Sequence, residues 1–217
     1  MNQWRRFLMP IWRAIGRQLQ NPRGFAGGVA GSFMQVVNHT PNTLAVEALA
    51  VGPSERVLEL GCGPGCAIAR MASLASNGVV YGIDQSPVML EQAERRNRSA
   101  ILGGRVVLLR ALFERLPFPD DSFDATLAVN VAYFWDDSLA ALREVRRVLR
   151  PGGRLAIYAT DVETMREWKF AGRETHRHFD AAALARALHQ SGFSDSGIHV
   201  APVRLAGGVR GLIATAS

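Results

Sequence analysis

A chain of 217 residues, 48% apolar and 20% charged, can bury a substantial core in one domain and is too hydrophobic for a disordered polymer. Its formal charge of +6 is unevenly placed: Arg5, Arg6, Arg13, Arg17 and Arg23 stand without an acid in residues 1–23, leaving a near-neutral body and arguing against a general nucleic-acid-binding surface. Two cysteines do not make a secreted disulfide scaffold and no window reaches about 18 uninterrupted apolar residues, so a cytoplasmic protein without a membrane span is expected.

In the first segment, MNQWRRFLMPIWRAIGRQLQ, the residues Trp4, Phe7, Leu8, Ile11, Trp12, Ile15 and Leu19 recur at helical spacing. Arg13, Arg17 and Gln20 fall largely on the opposite face, and Pro10 suits the first turn of a helix running to about Gln20. A basic, aromatic, amphipathic helix of this kind packs on its own domain or on a second copy, or lies on an anionic membrane as a peripheral contact. Its apolar run is too broken for a secretory signal. Glycine-rich residues 21–32 then lead to a helix over Asn42 to Ala50. Residues 1–50 are therefore expected to form an arm with capping helices, and residues 51–217 the main domain.

From Arg56 onward the pattern alternates. VLEL (57–60), GVVYGID (78–84), RVVLLRA (105–111), FDATLAVN (123–130) and RLAIYAT (154–160) read as strands. Between them lie helices over AIARMASLA, from Pro87 to about Arg98, and over DSLAALREVRRVL, the last stopping at Pro151-Gly152-Gly153. Ser86 before Pro87 is a hydroxyl cap ahead of a first-turn proline. Such alternation specifies an α/β protein with a doubly wound, mainly parallel sheet. After the helix AAALARALHQSG, the runs GIHVAPVRL and VRGLIATA have no helix between them. They must be antiparallel neighbours, a terminal hairpin.

The stretch ELGCGPGC (59–66) sits at the carboxyl end of the first strand, where open sheets bind ligands. Gly61, Gly63 and Gly65 are spaced G-x-G-x-G, one residue short of the dinucleotide fingerprint, whose last place holds Cys66. Asp84 ends the second strand, 19 residues after Gly65, where a carboxylate can bind both hydroxyls of a ribose or simply cap a helix. Glu59 lies inside an apolar strand, a costly place for a charge without a partner. Cys62 and Cys66 have no further cysteine or nearby histidine to complete a metal site, and none is expected. Together these residues favour an adenosyl ligand.

VLELGCGPG, VYGIDQSPVMLEQA, LPFPDDSFD and REVRRVLRPGGRL resemble the successive motifs of class I S-adenosylmethionine-dependent methyltransferases. The closest flavour is the small-molecule enzymes that include quinone-biosynthesis methyltransferases. The similarity runs from about Arg56 to Thr160. It implies a Rossmann-like seven-stranded sheet with the last strand antiparallel, and S-adenosylmethionine as cofactor. By position it implies that Glu59, Gly61, Cys62, Gly63 and Gly65 hold the methionine end and that Asp84 binds the ribose. Gln85 and Met89 would lie beside the adenosine, and Asn130 near the methionine portion or the methyl group. Where the family often has an acid for the adenine amino group, this chain has Leu112, so main-chain groups of Leu112 and Phe113 would read the base.

No residue declares itself as a general base; His39, His176, His178 and Tyr133 are candidates. Tyr133, Phe134 and Trp135, with residues 161–180 as a lid, would suit a flat or apolar acceptor or pack the core. The expected function is methyl transfer to a small molecule, such as a lipid or quinone at a membrane surface. A non-catalytic cofactor-binding relative or partner subunit is the alternative. A nicotinamide-dependent oxidoreductase is disfavoured by the glycine spacing.

Overall fold

The computed structural model describes residues 38–171 and 176–217; the arm at residues 1–23 and the glycine-rich connection lie outside them. The elements in order are α1 (His39–Leu49), β1 (Arg56–Leu60), α2 (Cys66–Leu74), β2 (Val79–Asp84), α3 (Pro87–Leu102), β3 (Val106–Arg110) and β4 (Phe123–Val129). They continue with α4 (Ser138–Val148), β5 (Leu149–Thr160), α5 (Val162–Glu167), α6 (Ala181–Gln190), β6 (His199–Arg204) and β7 (Arg210–Ala216).

The seven strands form one sheet in the order β3-β2-β1-β4-β5-β7-β6. β1 to β5 pair in parallel, and β7 runs antiparallel to both β5 and β6. The α/β sheet and its terminal hairpin are as expected from the sequence. Strand order reverses between β1 and β4, which opens a crevice beyond their carboxyl ends.

Side chains on a strand alternate between faces, and this divides the core in two. Leu58 and Leu60 of β1 join the layer under α4 and α6, with Leu142, Val145, Leu184 and Leu188. Val57 faces the other way, into the layer under α1, α2 and α3, with Ala45, Val46, Leu49, Ile68 and Ala93. Glu59 shares that second face with Val57. α1 is thus packed into the same body as the sheet. Among the described residues, no helix is long and apolar enough to cross a membrane.

Helix starts follow local chemistry. The Ser86 hydroxyl accepts from the Met89 N–H at the start of α3, Asp137 caps α4 and Asp180 caps α6. Two details differ from the sequence reading. α4 ends at Val148, ahead of Pro151-Gly152-Gly153, and those residues lie within β5, where the register to β4 shifts between Phe123 and Ala125. Proline lacks the donor a ladder needs and Gly152 has φ +75°, so the chain bulges there rather than ending a helix. The second difference is α5, one capped helical turn within the 161–180 connection.

Arg154 ties the carboxyl end of α1 to the sheet. Its Nε donates to the Leu49 carbonyl at 2.6 Å and its Nη2 to the Ala50 carbonyl at 2.6 Å. The same guanidinium forks onto Glu55, at 2.9 and 2.7 Å. That hydrogen bonding, helped by the Gly52 N–H and opposed by burial, holds the Glu55 carboxyl below its ordinary range. A lowered carboxyl contributes stability above its unfolded pKa and loses it as pH falls through its folded pKa. Arg154→Met is expected to cost about 1–3 kcal/mol at neutral pH and to remove that part of the acid dependence, read from urea midpoints across pH.

Candidate active site

The carboxyl end of β1 turns sharply through residues 61–65, and each of the three glycines there has positive φ. They do different things. A Cβ on Gly61 would meet Val131 Cγ2 at 2.4 Å, and one on Gly65 would meet Asn97 Nδ2 at 2.5 Å and Ala93 Cα at 2.9 Å. These two glycines answer to the protein's own packing. A Cβ on Gly63 would meet nothing within 4 Å, and Gly63 lines the cleft. Among the described residues, then, Gly63 opens onto the cleft.

The loop is held from two sides. Asp84 Oδ2 accepts from the Gly63 N–H at 2.9 Å and Oδ1 from the Ser86 N–H at 2.8 Å. One carboxylate therefore joins the turn after β1 to the turn after β2. From behind, Asn97 Nδ2 on α3 donates to the Gly65 and Ala93 carbonyls at 3.1 and 2.8 Å, and Arg96 Nε donates to the Pro64 carbonyl at 3.1 Å.

The cleft is lined at its base by Glu59, Asp84, Gln85 and the glycine loop, with Met89, Phe113, Val129, Val131 and Phe134 as apolar walls. Asn38, Asn42 and Asn130 supply amides, and Asp136 a third carboxylate. Among the described residues no arginine, lysine or histidine lines it. Glu59 is 3% exposed and its Oε2 has no hydrogen-bond partner among the described residues. Burial, reinforced by the nearby Asp84 charge, pushes its carboxyl well above the ordinary range. Burial also raises Asp84, opposed by the N–H groups of Ser86, Gly63 and Gln85. An acidic, partly apolar cleft with a free carboxylate oxygen among the described residues fits a ligand carrying positive charge and hydroxyls. It is a poor match for a pyrophosphate, which would need cations.

Of the residues singled out in the sequence, Glu59, Gly61, Cys62, Gly63, Asp84, Gln85, Met89, Phe113 and Asn130 line this one cleft. Gly65 supports it from behind. Leu112 is 59% exposed, away from the lining residues, and Phe113, 5% exposed, is the member of the pair that faces the cleft. Cys62 and Cys66 are free thiols, and no group of three His, Cys, Asp or Glu that could hold a metal occurs among the described residues.

The three histidines lie elsewhere. His39 is exposed in the first turn of α1. His176 is buried, with ring centroids of Phe134 at 4.8 Å and Tyr133 at 5.5 Å, and burial beside His178 lowers its pKa to about 4. His178 Nε2 lies 2.9 Å from the Ala171 carbonyl. His176 and His178 line a separate groove with Arg166, Arg177 and Arg186. Tyr133 is buried, and burial pushes its phenol far above the ordinary range. Trp135 belongs to the core under α4. Of these aromatic rings only Phe134 reaches the cleft.

Asn38, Asn42, Asn97 and Asp136 were not picked out in the sequence. Asn38 and Asn130 are hydrogen-bonded across 92 positions of chain, and no local pattern announces such a pair.

Gly61→Ala is expected to lower stability by about 2–5 kcal/mol through the Val131 clash. Gly63→Ala is expected to cost only about 1 kcal/mol of left-handed strain while filling the cleft. Thermal midpoints, compared with binding of S-adenosylhomocysteine, separate the two.

The methyltransferase-domain family matches residues 58–157. The uncharacterized methyltransferase YdaC of Bacillus subtilis is 30% identical over 159 residues, covering 72% of this chain and 86% of that protein. The 27-O-demethylrifamycin SV methyltransferase of Amycolatopsis mediterranei is 39% identical over 109 residues, 50% of this chain and 40% of that protein. Several other curated relatives are likewise spanned over only 35% to 49% of their length. Among solved structures, a SAM-dependent methyltransferase from Thermotoga maritima superposes with a TM-score of 0.65 at 25% identity, over 85% of this chain and 93% of that one. The fold, with these relatives, places the chain in the class I S-adenosylmethionine-dependent methyltransferases.

Proposed function

We propose that this methyltransferase acts on a small, largely apolar acceptor, with its cofactor seated over the Gly63 turn between Glu59 and Asp84. The observation that carries the reading is the pair of desolvated carboxylates at the base of a cleft with no basic lining side chain among the described residues. S-Adenosylmethionine, when bound, supplies a sulfonium methyl group for in-line displacement. Glu59 would accept from the ammonium of the methionine moiety. Asp84, whose two oxygens are already oriented by main-chain N–H groups, would accept from the ribose hydroxyls. Met89 and Phe113 would flank the adenine, and the Gly63 turn would offer it main-chain groups.

Acceptor class is supported by the walls of the cleft, where Phe134, Val129 and Val131 would exclude water from an apolar ring or chain. The name of the Amycolatopsis relative specifies a small organic molecule, 27-O-demethylrifamycin SV, which favours the same class. The amphipathic spacing in residues 1–23 favours an acceptor met at a membrane surface, as a lipid or quinone would be. A histidine base is not needed where the acceptor is already deprotonated or loses its proton after transfer. That agrees with the placement of His39, His176 and His178 outside the cleft.

The function is tested by incubating the protein with methyl-labelled cofactor and an acceptor panel that includes membrane extracts. Label should move into an extractable small molecule. Label found only in protein or nucleic acid would overturn the acceptor class. In the same assay Asp84→Asn is expected to weaken cofactor binding by about 1.5–3 kcal/mol, roughly 10- to 150-fold.

Glu59 gives a pH signature. Burial and the neighbouring Asp84 raise its pKa, and an ammonium binds the deprotonated form. Cofactor affinity should therefore rise with pH through the Glu59 titration, and Glu59→Gln should flatten that rise and weaken binding. For folding the sign is opposite: a raised carboxyl costs stability as pH climbs past its unfolded pKa. Cofactor-free Glu59→Gln should accordingly melt higher than wild type at neutral pH, by calorimetry.

A further inference from the structure

An amino-acid cofactor brings a carboxylate as well as an ammonium, and the described lining of the cleft offers that carboxylate no cation. It does offer oriented amides. Thr160, buried at the end of β5, donates its hydroxyl to Asn130 Oδ1 at 3.2 Å. Asn130 Nδ2 in turn donates to Asn38 Oδ1 at 2.8 Å. Along this chain each amide oxygen accepts and each amide nitrogen donates onward, from Thr160 through Asn130 to Asn38 Oδ1. The Asn38 NH2 is then turned away from Asn130.

Backbone geometry holds this arrangement. Asn130 has φ +53°, an uncommon conformation for a side-chain-bearing residue, and its own N–H is secured by the Tyr158 carbonyl at 2.9 Å. Asn38 stands at the N-cap position of α1 without a side-chain cap, and its carbonyl accepts from the Asn42 N–H at 2.8 Å. Asn42 is therefore one turn further along the same face. Both asparagines line the cleft, as does Glu59 with its unpartnered Oε2.

We infer that Asn38 and Asn42 bind the α-carboxylate of the cofactor through neutral amide N–H groups, with the Thr160–Asn130 pair as positioning residues that set the Asn38 amide. This rests on the S-adenosylmethionine reading above and adds a subsite to it. The amino-acid end is recognised as a zwitterion, by Glu59 at its ammonium and by amides at its carboxylate. Neutral donors leave the cleft acidic, so its match to the sulfonium is kept.

Asn38→Asp isolates the donor. Aspartate keeps an oxygen for Asn130 and so preserves the latch to α1, but it replaces the NH2 with a second acceptor. Calorimetric titrations compare S-adenosylhomocysteine, which carries the carboxylate, with 5′-methylthioadenosine, which lacks the whole amino-acid moiety. For Asn38→Asp and for Asn42→Asp, the dissociation constant for S-adenosylhomocysteine should rise about tenfold or more, with that for methylthioadenosine within about twofold of wild type. Thr160→Val should show the same selectivity at smaller amplitude, because the Asn130 amide is freed to turn. Unchanged binding of both compounds, or equal weakening of both, overturns the inference. Wild type that binds methylthioadenosine but not S-adenosylhomocysteine overturns it as well. Wild type that binds neither compound overturns the cofactor reading itself, and this subsite falls with it.

Discussion

The Asp84 carboxylate is the joint on which the site depends. Its two oxygens take N–H groups from separate turns, Gly63 after β1 and Ser86 after β2. Neighbouring strands of a parallel sheet are held by their ladder, but the turns beyond their ends are not. Without this bridge the glycine loop would keep contact with the sheet only through its own main chain and the α3 side chains behind it. The bridge also brings Asp84 within electrostatic reach of Glu59, which lies on a strand that could otherwise tolerate only an apolar side chain. Two desolvated carboxylates side by side are costly to a folded protein. Their cost is offset when a ligand supplies an ammonium, a sulfonium and hydroxyls.

The parts around the cleft are braced from several sides. Gly61 and Gly65 are pressed against Val131 and Asn97, Asn97 and Arg96 fix the loop carbonyls, and Arg154 holds the far end of α1. A cleft that stores electrostatic strain must be kept from relaxing around it. After β4 the constraint is packing. Arg177 donates from its main chain to the Tyr133 carbonyl and from its Nε to the Trp135 carbonyl, which closes the connection after β4 against the segment around His176. The aromatic rings there mostly complete a small core of their own, with Met165 and Ala171.

Much of this was legible in the sequence where the determinants are local. Period-two and period-3.6 patterns gave the alternating elements, and the missing helix between the last two runs gave the hairpin. Ser86-Pro87 marked the start of α3. Glu59 and Asp84 stood out because a charge at the end of an apolar strand has to be explained by something. What escaped reading depends on distant chain. The glycines look alike in sequence, yet only neighbours such as Val131 and Ala93 distinguish the structural ones from Gly63. Pro151-Gly152-Gly153 carries a helix-stop composition, but the strand pairing of Leu149 with Phe123 ends the helix sooner. Leu112 stood where an acid was expected; its side chain points out and the neighbouring Phe113 takes the wall. Asn38 meets Asn130 only because α1 lies across the end of β4.

An acidic cleft of this kind suits a sulfonium cofactor and not a pyrophosphate. The most direct measurement is isothermal titration of the wild-type protein with S-adenosylmethionine, S-adenosylhomocysteine and NAD in one buffer. Saturable one-to-one heat with both sulfur compounds and none with NAD is expected. Heat with NAD, or none with either sulfur compound, would contradict it.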